Sequence, residues 1–206
     1  MTITEFYQYL FVRYGEQHWW PCVSGSRWEI AAGAVLTQNC AWRNVEKALV
    51  NLEAVGLNTP EAVVAADAAL IGELVRPAGF FRQKSAYLRE VAEFFLANES
   101  RFAAAEYTPE LRRELLAVKG VGRETADAIL LYAFNFPVFV IDAYTRRVAA
   151  RHLDLDGTEA YDELQRKFAA ALPADPALFN EYHALIVCFC KESCRKSGCG
   201  GDCPTS

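Results

Sequence analysis

The sequence predicts an all-α protein. Three observations point there. Apolar residues recur at helical spacing along nearly the whole chain. Helix-opening residues and Gly/Pro breaks bracket those stretches. The one β-branched and aromatic run, FPVFVID at 136–142, is short, so no sheet is required.

The elements follow in chain order. Thr2 and Glu5 have the spacing of a capping box, and Phe6, Tyr9, Leu10 and Arg13 continue with the helical period. Residues 28–36 read as an apolar helix, with Trp28 in the core, and 45–55 as a second helix. Pro60 suits a first helical position ahead of EAVVAADAAL. The same period runs through 87–96, 111–118, 126–134, 144–152, 161–172 and 177–189. Breaks at 56–60, 77–79, 120–122, 154–157 and 173–176 separate them. The reading amounts to about ten helices with no fixed-period repeat.

Composition narrows the class. With 206 residues, 52% hydrophobic and 23% charged, the chain has enough apolar material for one large domain or two small ones, which excludes a disordered chain. No apolar run reaches the roughly 20 residues of a membrane span. MTITEFYQYL lacks a basic and then apolar leader, so a cytoplasmic location is expected. The net charge of −5 argues against a basic coat on nucleic acid. It leaves room for a local basic face, and the excess of arginine over lysine, 15 to 6, suits phosphate contacts.

The sharpest local signal is LLAVKGVGRETADAILLYAF at 115–134. Gly120, Val121 and Gly122 form a tight turn between two helices, and the amides after Gly122 open the second helix. Such a turn offers backbone N–H groups to a phosphate. Arg112, Arg113, Lys119 and Arg123 flank it. A lone Gly-Val-Gly is more often an ordinary packing corner. Here a short apolar run and then Asp142 follow, at the start of another helix, DAYTRRVAAR.

This pattern resembles the helix-hairpin-helix DNA glycosylases of the endonuclease III superfamily. VKGVGRETA and VIDAYTRR stand where that family has its hairpin and its essential aspartate. AVLTQN (34–39), GFFRQK (79–84) and the cysteine-rich tail also match, in the family's order. The resemblance implies two helical lobes with the active site between them. One is a six-helix barrel over 21–136, and the other joins 1–20 to 137–206 with a C-terminal iron–sulfur loop. It implies double-stranded DNA with a damaged base as partner, a nucleoid-associated enzyme, and a monomer. Gln38 would fill the gap left by the extruded base, and Phe80 or Phe81 would wedge the opposite strand. Both phenylalanines also suit a core. Gly120, Val121, Gly122 and Arg123 would hold one phosphate, and Arg82, Lys84, Arg146 and Arg147 are further candidates.

Asp142 has two compatible readings, a helix N-cap and a carboxylate that stabilises charge on the sugar while activating water. Bifunctional family members carry a lysine right after the hairpin, where this chain has Glu124. A carboxylate cannot form a Schiff base. Hydrolytic, monofunctional base removal is therefore expected, with Lys119 and Lys84 the nearest replacement amines. Glu124 reads equally as a first-turn acid complementing the helix dipole or as negative charge beside the base. The chain also carries HWWPC and NCAW, and WWP, GAVLTQN, VRPAGFFRQK and KGVGRETADAIL look most like the endonuclease III-related branch that includes 3-methyladenine DNA glycosylase III. In that branch Trp19, Trp20, Pro21 and Trp42 would sandwich the base, and indole faces suit a cationic methylated purine. The rival readings are an oxidised-pyrimidine or mismatch glycosylase, with or without lyase action, and a non-catalytic DNA-binding module.

Five of seven cysteines lie between 188 and 203. In a reducing compartment such a cluster points to metal rather than disulfides. The family's loop holds a [4Fe–4S] cluster, though the spacing here differs from the family's. Cys194, Cys199 and Cys203 are three candidate ligands, and Cys188 is chosen over Cys190 for the fourth. Zinc on the same thiolates, or no metal, is the alternative. The group's role would be structural. His18, His152 and His183 show no metal spacing and read as packing or surface residues, with His183 also suited to orienting a pocket group.

Overall fold

The computed structural model describes residues 1–20, 24–103, 109–201 and 203–204. The described chain is helical, apart from one two-stranded ribbon. It divides into two compact units, residues 22–136 and residues 1–21 with 137–206.

In the unit 22–136, helix α2 (Arg27–Leu36) opens at Ser26, whose side chain accepts from the Glu29 amide. Residues 28–36 are buried on every side, so the helix runs through the middle of its unit. Helix α3 (Trp42–Ala54) and the long α6 (Phe81–Ala103) pack on it. The stretch after Pro60 is not one helix. Asp67 accepts from the amides of Ala69 and Leu70, which splits it into α4 (Pro60–Ala65) and α5 (Ala68–Leu74). Trp28, Phe95, Phe102 and Phe134 fill the core, with the Phe102 and Phe134 rings 4.0 Å apart.

Helices α7 (Pro109–Ala117) and α8 (Arg123–Ala128) form the hairpin. A π-helical turn, Ile129–Ala133, continues α8. The two arms are clamped by an ion pair in which Arg112 donates to both oxygens of fully buried Asp127, at 2.7 and 2.9 Å.

The other unit is built on α11 (Pro176–Glu192), which packs against α1 (Ile3–Tyr14) and α9 (Ala143–His152). The Thr2–Glu5 capping box is formed. Tyr182 is fully buried and donates its hydroxyl to the Ile3 carbonyl at 2.8 Å. The run 137–142 forms neither helix nor strand. Helix α10 (Tyr161–Ala171) supplies its partners: Gln165 donates to the Phe139 carbonyl, and the Tyr161 hydroxyl accepts from the Ile141 amide. After α11, strands β1 (Cys194–Arg195) and β2 (Gly198–Cys199) pair antiparallel. The sequence reading did not include this ribbon.

Candidate active site

The hairpin turn has the geometry its glycines require. Gly120 has φ +87°, and a Cβ there would sit 2.1 Å from the Tyr87 ring. Gly122 differs: it has extended backbone, and a Cβ would meet nothing within 4 Å. Close packing thus demands glycine at 120, while 122 faces open space at the start of α8. No side chain caps that helix at Gly122. Val121 is buried and anchors the turn. Arg123 and Glu124 are exposed in the first turn, where the Glu124 charge complements the helix dipole.

Gln38 docks on this turn. Its Nε2 donates to the Gly120 carbonyl at 2.9 Å and to Thr125 Oγ1 at 3.1 Å. A groove beside it is lined by Gln38, Asn39, Phe80, Gln83, Lys84 and Tyr87. Two of the groove's residues have positive φ without being glycine, Asn39 at +51° and Phe80 at +46°. Such backbone is costly, and for an aromatic residue it is uncommon. Phe80 is also 67% exposed, whereas Phe81 is half-buried, packed under the Arg76 guanidinium at 4.5 Å. The two phenylalanines thus separate: Phe80 is presented to solvent and Phe81 is a packing residue.

Lys84 is not on the surface. It is 2% exposed, and its Nζ donates to the carbonyls of Leu36 and Ala78 at 2.8 and 2.7 Å. Burial pushes its pKa below the ordinary lysine range. This ammonium ties the loop carrying Gln38 to the loop carrying Phe80, which is a different task from the phosphate contact expected of it. Arg146 and Arg147 are likewise engaged with the protein. Arg146 donates to the carbonyls of Gly157 and Glu159, and Arg147 to that of Cys194. Arg82 is exposed.

Asp142 is the N-cap of α9. Its Oδ1 accepts from the Thr145 amide at 2.7 Å and from Thr145 Oγ1 at 2.9 Å. Its Oδ2 lies 3.5 Å from His183 Nε2. Burial raises the carboxyl pKa, but His183 and the Thr145 hydrogen bonds outweigh it and hold the pKa below the ordinary value of 3.8. The group is an anchored carboxylate at neutral pH, with Oδ2 outside the cap.

Trp19, Trp20 and Trp42 are half-buried. Trp19 and Trp20 meet edge to face, with ring centroids 6.0 Å apart, and Lys191 Nζ lies 5.7 Å over Trp19. Trp42 opens α3 and donates its indole N–H to Glu46 at 2.8 Å. Pro21 lies outside the described residues.

At the C-terminus, Cys194, Cys199 and Cys203 come together as expected; the fourth side chain grouped with them is His152, and Cys188 lies outside that group. The four donor atoms lie within 4.8 Å of one another. Cys188 belongs to α11, before the chain turns into the ribbon. Helix α9 packs along α11 and carries His152 in its last turn, within reach of the ribbon. Cys190 is buried and points its thiol at the Tyr144 carbonyl. A single histidine at a helix end carries no spacing signal, so sequence reading missed it.

The profile of the HhH-GPD superfamily base excision DNA repair proteins matches residues 32–174. A protein of Methanocaldococcus jannaschii that carries the provisional name DNA repair glycosylase MJ1434 is 42% identical over 98% of this chain and 93% of its own length. Endonuclease III of Sulfolobus acidocaldarius is 30% identical over 78% of this chain and 71% of its own. Among solved structures, Helicobacter pylori 3-methyladenine DNA glycosylase (MagIII) bound to 1,N6-ethenoadenine superimposes with a TM-score of 0.79. It is 29% identical, over 93% of this chain and 98% of that one.

Proposed function

The chain belongs to the HhH-GPD superfamily of base excision DNA repair proteins, and from that premise we propose that it is a monofunctional DNA glycosylase acting on alkylated purines such as 3-methyladenine. The observation that carries the reading is the pair of acids at the two motif positions. Glu124 stands in the first turn after the hairpin, where a Schiff-base lysine would be needed, and Asp142 is an anchored carboxylate. The MagIII likeness supports the substrate class.

In this mechanism the C1′–N bond breaks with its electron pair leaving on the base. Positive charge builds on the deoxyribose ring, and Asp142 stabilises it. Water attacks C1′ and gives up a proton, for which Asp142 is the base. A methylated purine is cationic and departs as a neutral molecule, so the leaving group needs little protonation. Its charge also suits an indole face, for which Trp19, Trp20 and Trp42 are the candidates, and the carboxylate of Glu124. Hairpin amides at 120–122 would hold a phosphate, with Arg123 adding charge. Gln38 would leave the Gly120 carbonyl and enter the duplex, while Phe80 wedges between bases. Phe81, packed under Arg76, is left out of the wedge, and Lys84 supports the two loops. Lys84 is also poorly placed to serve as a nucleophile, since its ammonium protons are on buried carbonyls. The C-terminal metal takes no step in the reaction. The family resemblance makes it a [4Fe–4S] cluster, whereas the donor atoms present favour a single ion.

A base-release assay decides the substrate. Duplexes containing 3-methyladenine, 7-methylguanine, uracil and thymine glycol are offered in parallel. The methylated purines are expected to be released. Release of thymine glycol alone favours the endonuclease III-type reading, for which the 30% identical endonuclease III speaks.

A further inference from the structure

We propose that His152, Cys194, Cys199 and Cys203 hold a single tetrahedral metal ion of the zinc class, in place of the four-iron cluster that the family resemblance implies. The argument begins with distances. Cys194 Sγ and Cys199 Sγ are 3.8 Å apart. His152 Nε2 lies 3.4 Å from Cys194 Sγ and 3.6 Å from Cys199 Sγ. With zinc–sulfur and zinc–nitrogen bonds of about 2.3 and 2.05 Å, a tetrahedron has edges of about 3.8 Å between sulfurs and about 3.6 Å between sulfur and nitrogen. The three separations among His152, Cys194 and Cys199 lie within about 0.2 Å of those edges, and the Cys203 thiol is within 4.8 Å of each of the other donors. A four-iron cluster places a separate iron under each thiolate around a sulfide core. That spreads its ligands well past the 4.8 Å that encloses these four atoms.

Donor chemistry agrees. Three thiolates and one imidazole are a recurrent structural zinc set, whereas the cluster ordinarily takes four thiolates. Cys188, the thiol that would complete four, stands outside the group. The imidazole is prepared for ligation. His152 Nδ1 is 3.3 Å from the Pro204 carbonyl, which only accepts, so the proton sits on Nδ1 and the Nε2 lone pair faces the sulfurs. The ring is locked in place, stacked on Phe6 at 5.6 Å and 6° and edge-on to Phe189. The ribbon supplies two donors from paired positions, Cys194 opposite Cys199. Arg151 donates to Cys194 Sγ at 3.5 Å and to the Arg195 carbonyl at 2.8 Å, which offsets the net negative charge of three thiolates on a divalent ion.

The test is metal analysis of the full-length protein, purified without oxygen from cells supplied with both iron and zinc. Bound zinc is expected, one ion per chain, with no acid-labile sulfide and no broad visible absorption. Replacement by cobalt(II) should give the ligand-field bands of a tetrahedral thiolate site. His152→Phe keeps the ring stack but removes the donor nitrogen. It should release metal at a chelator concentration that leaves Cys188→Ala loaded. Iron with stoichiometric sulfide in the wild-type protein would overturn the assignment, and so would protein purified with no bound metal. Metal loss in Cys188→Ala with retention in His152→Phe would also overturn it. The wild-type analysis decides the matter even where a variant fails to fold, and it is independent of the substrate proposed above.

Discussion

Asp142→Asn separates the two tasks of one side chain. Asp142 Oδ1 caps α9 through Thr145, at 2.7 and 2.9 Å, while Oδ2 lies 3.5 Å from His183. Asparagine keeps an oxygen for the cap and ranks with aspartate as an N-cap. The cap should therefore survive, whereas Asp142→Ala loses it at a cost of roughly 0.5–2 kcal/mol. Catalysis should not make this distinction. Both variants lose the negative charge and the base, worth about 10²–10⁴ in rate, or roughly 3–5 kcal/mol of barrier. The assays are single-turnover base release, thermal unfolding, and binding to a duplex with an abasic analogue. Asp142→Asn should bind and fold nearly as wild type while turning over at least about a hundredfold more slowly. Retained turnover in Asp142→Asn would remove the carboxylate from the chemistry. The pH dependence has a fixed sign. A carboxyl held below 3.8 stabilises the fold above that value, and the stabilisation disappears as pH falls through the lower folded pKa. Acidification should thus lower the wild-type melting temperature more than that of Asp142→Asn. The acid limb of activity due to this group should lie below 3.8.

The hairpin glycines should respond differently to alanine. Gly120→Ala drives a Cβ into the Tyr87 ring at positive φ and should cost more than about 1 kcal/mol in urea unfolding. Gly122→Ala meets no neighbour and should leave the fold intact while weakening duplex affinity, read by fluorescence anisotropy. Lys84→Met leaves the Leu36 and Ala78 carbonyls without their charged donor. It should lose roughly 1.5–3 kcal/mol of stability, together with activity on duplex DNA. Phe80→Ala removes an exposed ring, so unfolding should barely change while base extrusion, followed by 2-aminopurine fluorescence, slows.

The motifs legible in the sequence were those in which backbone and chemistry coincide. Gly120 is glycine because a ring fills the space of its Cβ, and Asp142 is aspartate because a helix begins there. Such constraints leave local signatures. The less legible features depend on distant partners. Residues 60–70 have one helical period, yet Asp67 competes for the backbone and divides them. Lys84 reads as a surface cation until two carbonyls from separate loops converge on it. Phe80 and Phe81 are adjacent and chemically alike, and only the positive φ of Phe80 turns one outward. His152 is 42 residues from Cys194, and helix packing rather than spacing brings them together.

The most direct measurement follows a duplex carrying one 3-methyladenine through a single turnover, scoring free base and strand integrity in the same sample with borohydride present. Free 3-methyladenine should appear while the strand stays whole until alkali is added, and no protein should become linked to DNA. An uncleaved glycosidic bond, or a borohydride-trapped protein–DNA adduct accompanying strand scission, would contradict hydrolysis assisted by Asp142.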